Sequence, residues 1–266
     1  MSEDFSVPAT HVSSRDNPLV KELRKLSEGS TAYRKQGRVW LEGDHLCRAA
    51  LARGIQPVVA VFAASFWPLA QHQWAQAAIK NIVIADKLLP EISGLESPAR
   101  MGFVMDLPAQ EPLLVGAASV ILDRVQDAGN VGSILRSAAA FGFGQVIALK
   151  GTAALWSPKV LRAGMGAHFG LRLLEGVEAQ ALAELQVPIV VTSSHQGRFL
   201  HQFTVSDALP MPCAWALGHE GQGVCDFLMK KASLSVRIDQ PGGEESLNVA
   251  AAAAICLYAS AVSKRL

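Results

Sequence analysis

Three segments rich in glycine and polar residues contain the residue types that bind and orient a ligand: residues 123–136, 218–223 and 239–248. The first contains Asn130 and Gly132 and continues into a predicted helix that carries Arg136. If Asn130 is the N-cap, the N–H groups of the first turn stay free for a polar ligand, and Arg136 on the second turn can reach back toward it. A capped helix with a surface arginine explains this segment equally well.

The other two segments place acids and amides beside tight turns. Residues 217–223 read Leu-Gly-His-Glu-Gly-Gln-Gly, and the glycines around Glu220 predict a loop that wraps closely around a ligand. The alternative is a tight turn with an exposed acid. Residues 239–248 lead into an alanine-rich helix, for which either Ser246 or Asn248 is a natural N-cap. Capping alone explains less well the Pro-Gly-Gly turn that precedes them.

Other catalytic signatures are weak or missing in the sequence. The glycine run at 164–170 follows a predicted helix, whereas a dinucleotide fingerprint needs a strand before it. There is no P-loop pattern, the run Ser193-Ser194-His195 lacks the elbow of a hydrolase, and no second histidine lies at metal-ligand spacing from His219. The four cysteines form no Cys-x-x-Cys pair. We therefore expect neither a metal centre nor a disulfide framework.

The second half of the chain has the α/β alternation that would bring the three segments together. Short apolar runs predict strands, and longer stretches with helical spacing predict helices. The predicted strands are 118–122, 146–149, 188–192, 214–217 and 234–238, and the predicted helices are 131–141, 158–167 and 248–260. This order indicates a mostly parallel sheet with helices on both faces. Such sheets bind ligands beyond the carboxyl ends of their strands.

The first half repeats the alternation on a smaller scale. Residues 1–12 are expected to be a loose tail, after which Pro18 begins a helix with apolar residues at helical spacing. Further expected helices are 42–52 and 74–79, and the expected strands are 58–63, 81–85 and 101–105. A polar break bracketed by prolines at 107–112 is the predicted boundary. The expected domains are therefore 13–106 and 107–266.

Composition narrows the class of protein. Half of the 266 residues are hydrophobic and 18% are charged, which favours a large core and excludes general disorder. Basic and acidic residues nearly balance (24 against 23), but residues 13–53 hold nine basic and five acidic residues. That excess indicates either a surface for a polyanion or a solvated helical face. With no signal peptide and no apolar run long enough for a membrane, we expect a cytoplasmic protein.

The order of the three segments is specific. Asn130-Val131-Gly132 with Arg136, then Leu217-Gly218-His219-Glu220-Gly221, then Glu245-Ser246-Leu247-Asn248-Val249 before an alanine-rich helix, resembles the SpoU (TrmH-like) family of RNA ribose 2′-O-methyltransferases. The resemblance covers essentially all of residues 115–266. Residues 14–21, with Glu42-Gly43 further on, resemble the start of the substrate-binding domain that often precedes this catalytic domain.

This resemblance implies a fold, a cofactor and partners. The fold is a trefoil-knotted SPOUT-type parallel-sheet catalytic domain with a smaller N-terminal α/β domain like ribosomal protein L30e. The cofactor is S-adenosylmethionine, and the chain is a homodimer whose active site borrows residues across the interface. The substrate is structured RNA, with ribosomal RNA slightly favoured over transfer RNA, and neither a metal nor a membrane is involved.

The resemblance also assigns roles to particular residues. The backbone at Gly218, Ile238 and Leu247 would hold the cofactor, with Thr192 nearby. The residues that would line the reaction site are Asn130, Arg136, Glu220, Ser246 and Asn248. The chain departs from the family pattern at Gly164, where serine is common, and at Asp239-Gln240-Pro241. The first departure removes any hydroxyl role at that position, and the second is expected to alter only the cofactor pocket.

The chemistry requires activation of a ribose hydroxyl, which is a weak nucleophile at neutral pH. A guanidinium is effectively always charged, so we favour Arg136 as a group that grips the 3′ phosphate and stabilises the forming alkoxide, rather than as the base. RNA phosphates would be bound by the basic N-terminal residues, namely Arg15, Lys21, Arg24, Lys25, Arg34, Lys35 and Arg38.

Two other functions remain open at this stage. One is a non-catalytic RNA-binding or assembly factor that retains the knotted fold, and the other is methylation of a base nitrogen. The intact residues Asn130, Arg136 and Glu220 favour an enzyme over the first, and the Asn-x-Gly-x-x-x-Arg loop favours ribose over the second.

Overall fold

Five short strands form the sheet of the N-terminal part of the chain. The computed structural model describes residues 8–193, 196–204, 207–242 and 246–263. Its first sheet has the order β1-β4-β3-β5-β2, in which β1, β4 and β3 run parallel, and β5 is antiparallel to both of its neighbours, β3 and β2. The strands are β1 (Thr10–Val12), β2 (Arg38–Glu42), β3 (Val59–Ala63), β4 (Lys80–Ile84) and β5 (Met101–Asp106).

Helices cover this first sheet. They are α1 (Pro18–Glu28), α2 (Ala32–Gln36), α3 (Asp44–Ala52), α4 (Trp67–Trp74) and α5 (Leu89–Ile92). Helix α1 begins where the sequence predicts, because the Asn17 side chain accepts a hydrogen bond from the Leu19 N–H at 2.9 Å and Pro18 occupies the first turn. Its residues Val20, Leu23 and Leu26 are buried, as their spacing predicts.

Seven strands, every adjacent pair of them parallel, form the second sheet, which confirms the predicted parallel architecture. Their order is β10-β12-β9-β11-β6-β7-β8. Because the strands run in one direction, their carboxyl ends share one edge of the sheet. The strands are β6 (Ser119–Asp123), β7 (Gln145–Leu149), β8 (Arg172–Val177), β9 (Ile189–Thr192), β10 (Arg198–Phe199), β11 (Ala214–Gly218) and β12 (Leu234–Arg237).

Four helices alternate with these strands along the chain: α6 (Ala128–Ala140), α7 (Pro158–Gly164), α8 (Asp226–Lys231) and α9 (Val249–Ser263). Helix α9 packs against α6 and β11. The fully buried Trp215 of β11 donates its indole N–H to the Ser260 hydroxyl at 2.8 Å, so a satisfied polar contact fixes α9 within an apolar environment. Small alanine side chains on α9 allow this close approach.

The chain divides into two compact units. The first holds the described residues up to Ala109 together with Trp156–Phe169, and the second holds Gln110–Leu155 and the described residues from Gly170 onward. Helix α7 therefore belongs to the first unit although the strands that flank it in sequence belong to the second. No helix of the described residues is long and apolar enough to cross a membrane.

Several elements differ from the sequence predictions. Residues 10–12, expected in a tail, form β1 because they pair with β4. The predicted helix 74–79 is wrong: α4 ends at Trp74, and its start at Trp67 places Pro68 in the first turn. The predicted helix 42–52 begins later, since Glu42 ends β2 and Gly43, at φ 94°, separates the strand from α3.

Helix ends were also displaced. The predicted helix 158–167 stops at Gly164, because Met165 and Gly166 both have left-handed backbone angles. Strands β2, β8 and β10 and helices α2, α5 and α8 were not predicted. The interpretations that concern residues 1–7, Ser194, His195 and Glu245 lie outside the described residues.

Candidate functional site

Four adjacent strands deliver the predicted site residues to one edge of the second sheet. In the order β12-β9-β11-β6, the strands end beside Ile238, Thr192, Gly218 and Asp123. Residues Gly218 and Asp123 are paired directly, as are Thr192 and Val236. The predicted cofactor residues Thr192, Gly218 and Ile238 therefore lie at the ends of three neighbouring strands.

The loop after β11 is closed upon itself. The N–H of His219 donates to the Gly223 carbonyl at 3.0 Å, and the N–H of Gly223 returns a bond of 2.8 Å to His219. Gly218 is required here because a Cβ atom at this position would lie 2.1 Å from the Gly223 carbonyl carbon. The His219 ring nitrogen Nδ1 accepts from the N–H groups of Gly221 and Gln222 at 3.0 and 3.3 Å. This turn presents Glu220 at its tip.

The Glu220 carboxylate joins this loop to the one after β6. It accepts hydrogen bonds from the backbone N–H groups of Gln126 and Asp127, at 3.3 and 3.2 Å, and from the Asn130 side chain at 3.1 Å. Partial burial raises the pKa of Glu220, but these bonds and one from its own N–H outweigh that effect and lower the pKa below its ordinary value. Glu220 is thus an anion that orients Asn130.

Asn248 connects the third segment to the same group. Its side-chain NH₂ donates to the Asn130 carbonyl oxygen at 3.0 Å, while its own carbonyl oxygen accepts from the N–H groups of Ala250 and Ala251 at 2.9 and 3.2 Å. Asn248 is therefore the N-cap of α9 and a partner of Asn130 at once. The resulting chain Glu220–Asn130–Asn248 links all three predicted segments.

Asn130 itself is not the N-cap of α6, contrary to the sequence prediction. The helix begins earlier, at Ala128, and Asp127 caps it by accepting from the Asn130 N–H at 2.7 Å. Because Asp127 takes the capping role, the Asn130 side chain is left to contact Glu220 and Asn248. The side-chain amide of Asn130, in the first turn of α6, is thus directed toward the other two segments rather than toward the backbone of its own helix.

Three predicted residues stand apart from this hydrogen-bonded chain. Arg136 is exposed on α6 and has no hydrogen bond or ion pair with any other described residue. Ser246 and Leu247 are exposed just before α9, and Leu247 keeps 38% of its surface accessible. A free guanidinium, a free hydroxyl and an exposed apolar side chain near a fixed amide chain are suited to contact a bound molecule.

Sequence reasoning missed Asp123 and Arg124 at the end of β6. Asp123 is only 2% exposed, and its carboxylate accepts from Arg124 Nε at 2.9 Å and from the Cys225 N–H at 2.6 Å. An aspartate as the last residue of a buried strand was the available signal. Among the described residues, no group of three or more His, Cys, Asp or Glu side chains could hold a metal ion.

Ion pairs involve four of the seven basic residues that the sequence analysis assigned to RNA binding. Arg15 and Arg24 pair with Glu91, Lys21 pairs with Asp16, and Arg38 pairs with Glu22 and Asp106. Arg34 lies over the Tyr33 ring. Lys25 and Lys35 are exposed and have no acidic partner among the described residues. The positive charge available to an external anion is therefore smaller than the sequence count indicates.

Comparison with known proteins identifies the class. The α/β fold with three loops joined at the carboxyl edge of a parallel sheet is that of a SPOUT-type methyltransferase domain. A family described as "SpoU rRNA Methylase family" matches residues 117–258, and one described as "MRM3-like substrate binding domain" matches residues 17–101. The chain belongs to the SpoU rRNA methylase family.

Individual relatives match nearly the whole chain. The 23S rRNA (guanosine(2553)-2′-O)-methyltransferase RlmP of Bacillus subtilis is 29% identical, over 93% of this chain and 97% of its own. A TrmH-family structure from Porphyromonas gingivalis, titled as a putative RNA methyltransferase, is 28% identical with a TM-score of 0.77, over 93% and 97% of the two chains. An AdoMet-bound rRNA methyltransferase structure from Sinorhizobium meliloti, at 24% identity, shares the fold with a TM-score of 0.82, over 97% and 99%.

Proposed function

We propose that this protein transfers a methyl group from S-adenosylmethionine to a ribose 2′-hydroxyl of ribosomal RNA. The observation that carries this proposal is the hydrogen-bonded chain Glu220–Asn130–Asn248, which joins three segments at one sheet edge, with Arg136 on the same helix as Asn130. The Bacillus relative, named for 2′-O-methylation of 23S rRNA, supports both the reaction and the preference for ribosomal over transfer RNA.

The residues at the sheet edge fit the cofactor. Backbone groups at Gly218 and Ile238, with Thr192 nearby, offer polar contacts at adjacent strand ends, and Leu247, just before α9, offers backbone groups and an exposed apolar side chain. When bound, S-adenosylmethionine supplies a methyl group made electrophilic by a sulfonium. The bound AdoMet of the Sinorhizobium structure supports this choice.

The polar side chains of the site have separate roles in the proposed reaction. Arg136 binds the phosphate next to the target ribose and stabilises negative charge on the 2′-oxygen, since its guanidinium has no competing partner among the described residues. Ser246 donates a hydrogen bond to that oxygen. The hydroxyl proton would pass to solvent water as the oxygen–carbon bond forms and the carbon–sulfur bond breaks, with a neutral thioether as the leaving group. Glu220 is a poor proton acceptor, because its pKa is lowered and both carboxylate oxygens already accept hydrogen bonds. Its role is to orient Asn130.

The assembly belongs to the same proposal. We expect a homodimer that contributes residues across its interface. Ile255 and Tyr258 on α9 leave 40% and 55% of their surfaces exposed, and Tyr258 packs edge-on against Phe141 with ring centroids 5.6 Å apart. A face of exposed apolar side chains on one helix supports such an interface. We also expect a trefoil knot in the catalytic domain and a cytoplasmic location.

The first domain serves substrate recognition in this proposal. Residues 13–106 bind RNA and residues 107–266 carry out methyl transfer. The match to a substrate-binding domain over residues 17–101 supports this division. Lys25 and Lys35 are the expected phosphate contacts, since they have no acidic partners among the described residues.

One assay tests the reaction. Labelled methyl groups from S-adenosylmethionine are offered, with total bacterial RNA, to the wild-type protein and to Arg136→Ala, and the RNA is then fractionated by size. Label in large ribosomal RNA that is lost in the variant, recovered as nuclease-resistant dinucleotides, supports the proposal. Label on base nitrogens contradicts ribose as the target. Tight RNA binding without cofactor binding or label would identify a non-catalytic RNA-binding factor.

A further inference from the structure

Asp123 is a buried carboxylate that the proposed reaction does not use. It ends β6, is 2% exposed, and lies opposite Gly218 in the paired strand β11. One oxygen accepts from Arg124 Nε at 2.9 Å. The other accepts from the Cys225 N–H at 2.6 Å, at the point where the loop of Glu220 leads into α8. Asp123 therefore fixes the exit of that loop.

Arg124 carries the connection from Asp123 to the tip of the same loop. Its Nη1 donates to the Gln222 side-chain oxygen at 2.9 Å, two residues after Glu220. Its backbone N–H donates to the Thr152 hydroxyl at 3.1 Å. A Cβ atom on Gly151 would lie only 3.2 Å from Arg124 Cγ, so the glycine leaves room for the stem of the arginine. The guanidinium is thus held by Asp123 and Gln222, and the backbone of the same residue is held by Thr152.

The backbone of Arg124 adopts a strained conformation in this arrangement. Its φ is 61°, in the left-handed region that non-glycine residues rarely adopt. Such conformations persist only where surrounding contacts impose them, and they concentrate at functional sites. The contacts of Asp123, Thr152 and Gln222 with Arg124 are of that kind. A surface arginine without a positional role would not require the strained conformation.

We propose that Asp123, Arg124 and Gln222 form a positioning unit that fixes the position and orientation of the Glu220 carboxylate. The inference rests on the proposed methyl transfer, because it concerns the amide chain of that site. Glu220 must lie within hydrogen-bond distance of Gln126, Asp127 and Asn130, all on the opposite loop. With the exit and the tip of its own loop fixed to the end of β6, the carboxylate has one orientation.

The unit acts through Glu220 and touches no reacting atom. Loss of the Arg124–Gln222 bond would let the loop tip move while the strand pairing of β11 stays intact. The amide of Asn130 would then lose a fixed partner, and the site would misalign the ribose. Misplacement of about 1 Å can lower turnover by about 100-fold. Binding of the cofactor by strand-end backbone would change much less.

Gln222 gives the sharpest test because it is exposed and its substitution leaves the core intact. Gln222→Ala removes the acceptor, whereas Gln222→Glu keeps an acceptor for Arg124. Gln180→Ala, an exposed glutamine with no polar contact among the described residues, is the matched control. Arg124→Gly is a second variant, since glycine tolerates the left-handed backbone and removes only the side chain.

Two quantities are measured for each variant. The first is turnover at saturating S-adenosylmethionine and ribosomal RNA, with the dissociation constants of both. The second is amide hydrogen exchange of Gln126 and Asp127, whose N–H groups donate to Glu220. We expect Gln222→Ala and Arg124→Gly to lower turnover by about 10- to 100-fold, to change both dissociation constants by less than about twofold, and to speed exchange at both amides. Gln222→Glu should restore turnover and protection.

The outcomes separate this inference from the proposed function. The inference of a positioning unit is wrong if Gln222→Ala matches Gln180→Ala in turnover and in amide exchange. It is also wrong if Gln222→Glu is as impaired as Gln222→Ala. A loss of turnover with unchanged exchange is also contrary to it, since Glu220 would not have moved. If the wild-type protein transfers no methyl group, the proposed function is wrong, and the exchange data still decide whether the unit positions Glu220.

Discussion

Replacing Glu220 by glutamine tests whether its charge and both its oxygens orient Asn130. The substitution preserves size, but one carboxylate oxygen becomes an NH₂ group. That group must face either the Gln126 N–H or the two donors from Asp127 and Asn130, so at least one of three hydrogen bonds is replaced by a contact between donors. Glu220→Gln should therefore loosen the joint between the two loops and lower turnover.

The size of the effect follows from those bonds. Hydrogen bonds to charged groups contribute about 1.5–3 kcal/mol each, and about 1.36 kcal/mol corresponds to a tenfold change in rate. Loss of one such bond from the oriented site predicts a fall in turnover of about 10- to 150-fold. Because Glu220 is exposed to solvent, the lower end of this range, about tenfold, is expected.

The assay is transfer of labelled methyl from S-adenosylmethionine to ribosomal RNA under saturating conditions. Glu184→Gln is the control, because Glu184 is an exposed glutamate of the same unit with no polar contact among the described residues. Both variants should bind cofactor and RNA as the wild type does. Turnover of Glu220→Gln within about twofold of Glu184→Gln would refute the orienting role of Glu220.

The remaining predictions concern charge and capping. Since the folded state lowers the pKa of Glu220, its contribution to stability is fully present above the ordinary value of 4.5 and is lost as pH falls through the folded value. Urea unfolding should therefore separate wild type from Glu220→Gln at about pH 7, and the difference should shrink as the pH falls below 4.5 and through the folded-state pKa. Arg136→Lys keeps the charge but loses the planar fork, so turnover should fall by about tenfold or more; near-normal turnover with unaltered RNA affinity would exclude phosphate gripping by Arg136. Asn248→Asp keeps the helix cap but cannot donate to Asn130, so activity should fall while the melting temperature holds, whereas Asn248→Ala should also lose about 1 kcal/mol of stability. Alanine at both Lys25 and Lys35 should reduce the slope of log affinity against log salt by about 1.4–1.8; an unchanged slope would place the RNA phosphates elsewhere.

The sequence was sufficient for five of the seven strands of the second sheet and for the meeting of three polar residues from the motif segments. Its strands are apolar runs bounded by turn residues, and such runs are recognisable without knowledge of their partners. The three motif segments had to meet because parallel strands share a carboxyl edge. Residues Asn130, Glu220 and Asn248, which are up to 118 positions apart, do meet in the structure.

The errors come from features that the local pattern of apolar residues does not determine. Strand β1 has three residues, too few to show the alternation of apolar and polar residues that indicates a strand. It forms because it pairs with the parallel strand β4. Asn130 was a plausible cap in isolation, but Asp127 lies three residues earlier and begins the helix sooner. Asp123 is adjacent to Arg124 in the chain, but its other partner, Cys225, lies 102 positions away and meets it only in the folded protein.

The long separation of Asn130 from Asn248 has a consequence for biosynthesis. Because the two residues are 118 positions apart, a nascent chain that ends before Asn248 cannot complete the site. When β6 and α6 have left the ribosomal exit tunnel, Asn130 is exposed, but its partner Asn248, the N-cap of α9, has not yet emerged. Catalytic competence therefore arises late, after α9 has emerged and docked on Trp215. Nascent chains arrested before that point should bind cellular RNA without methylating it. Methylation by a given chain would then begin only after translation of its catalytic unit has finished.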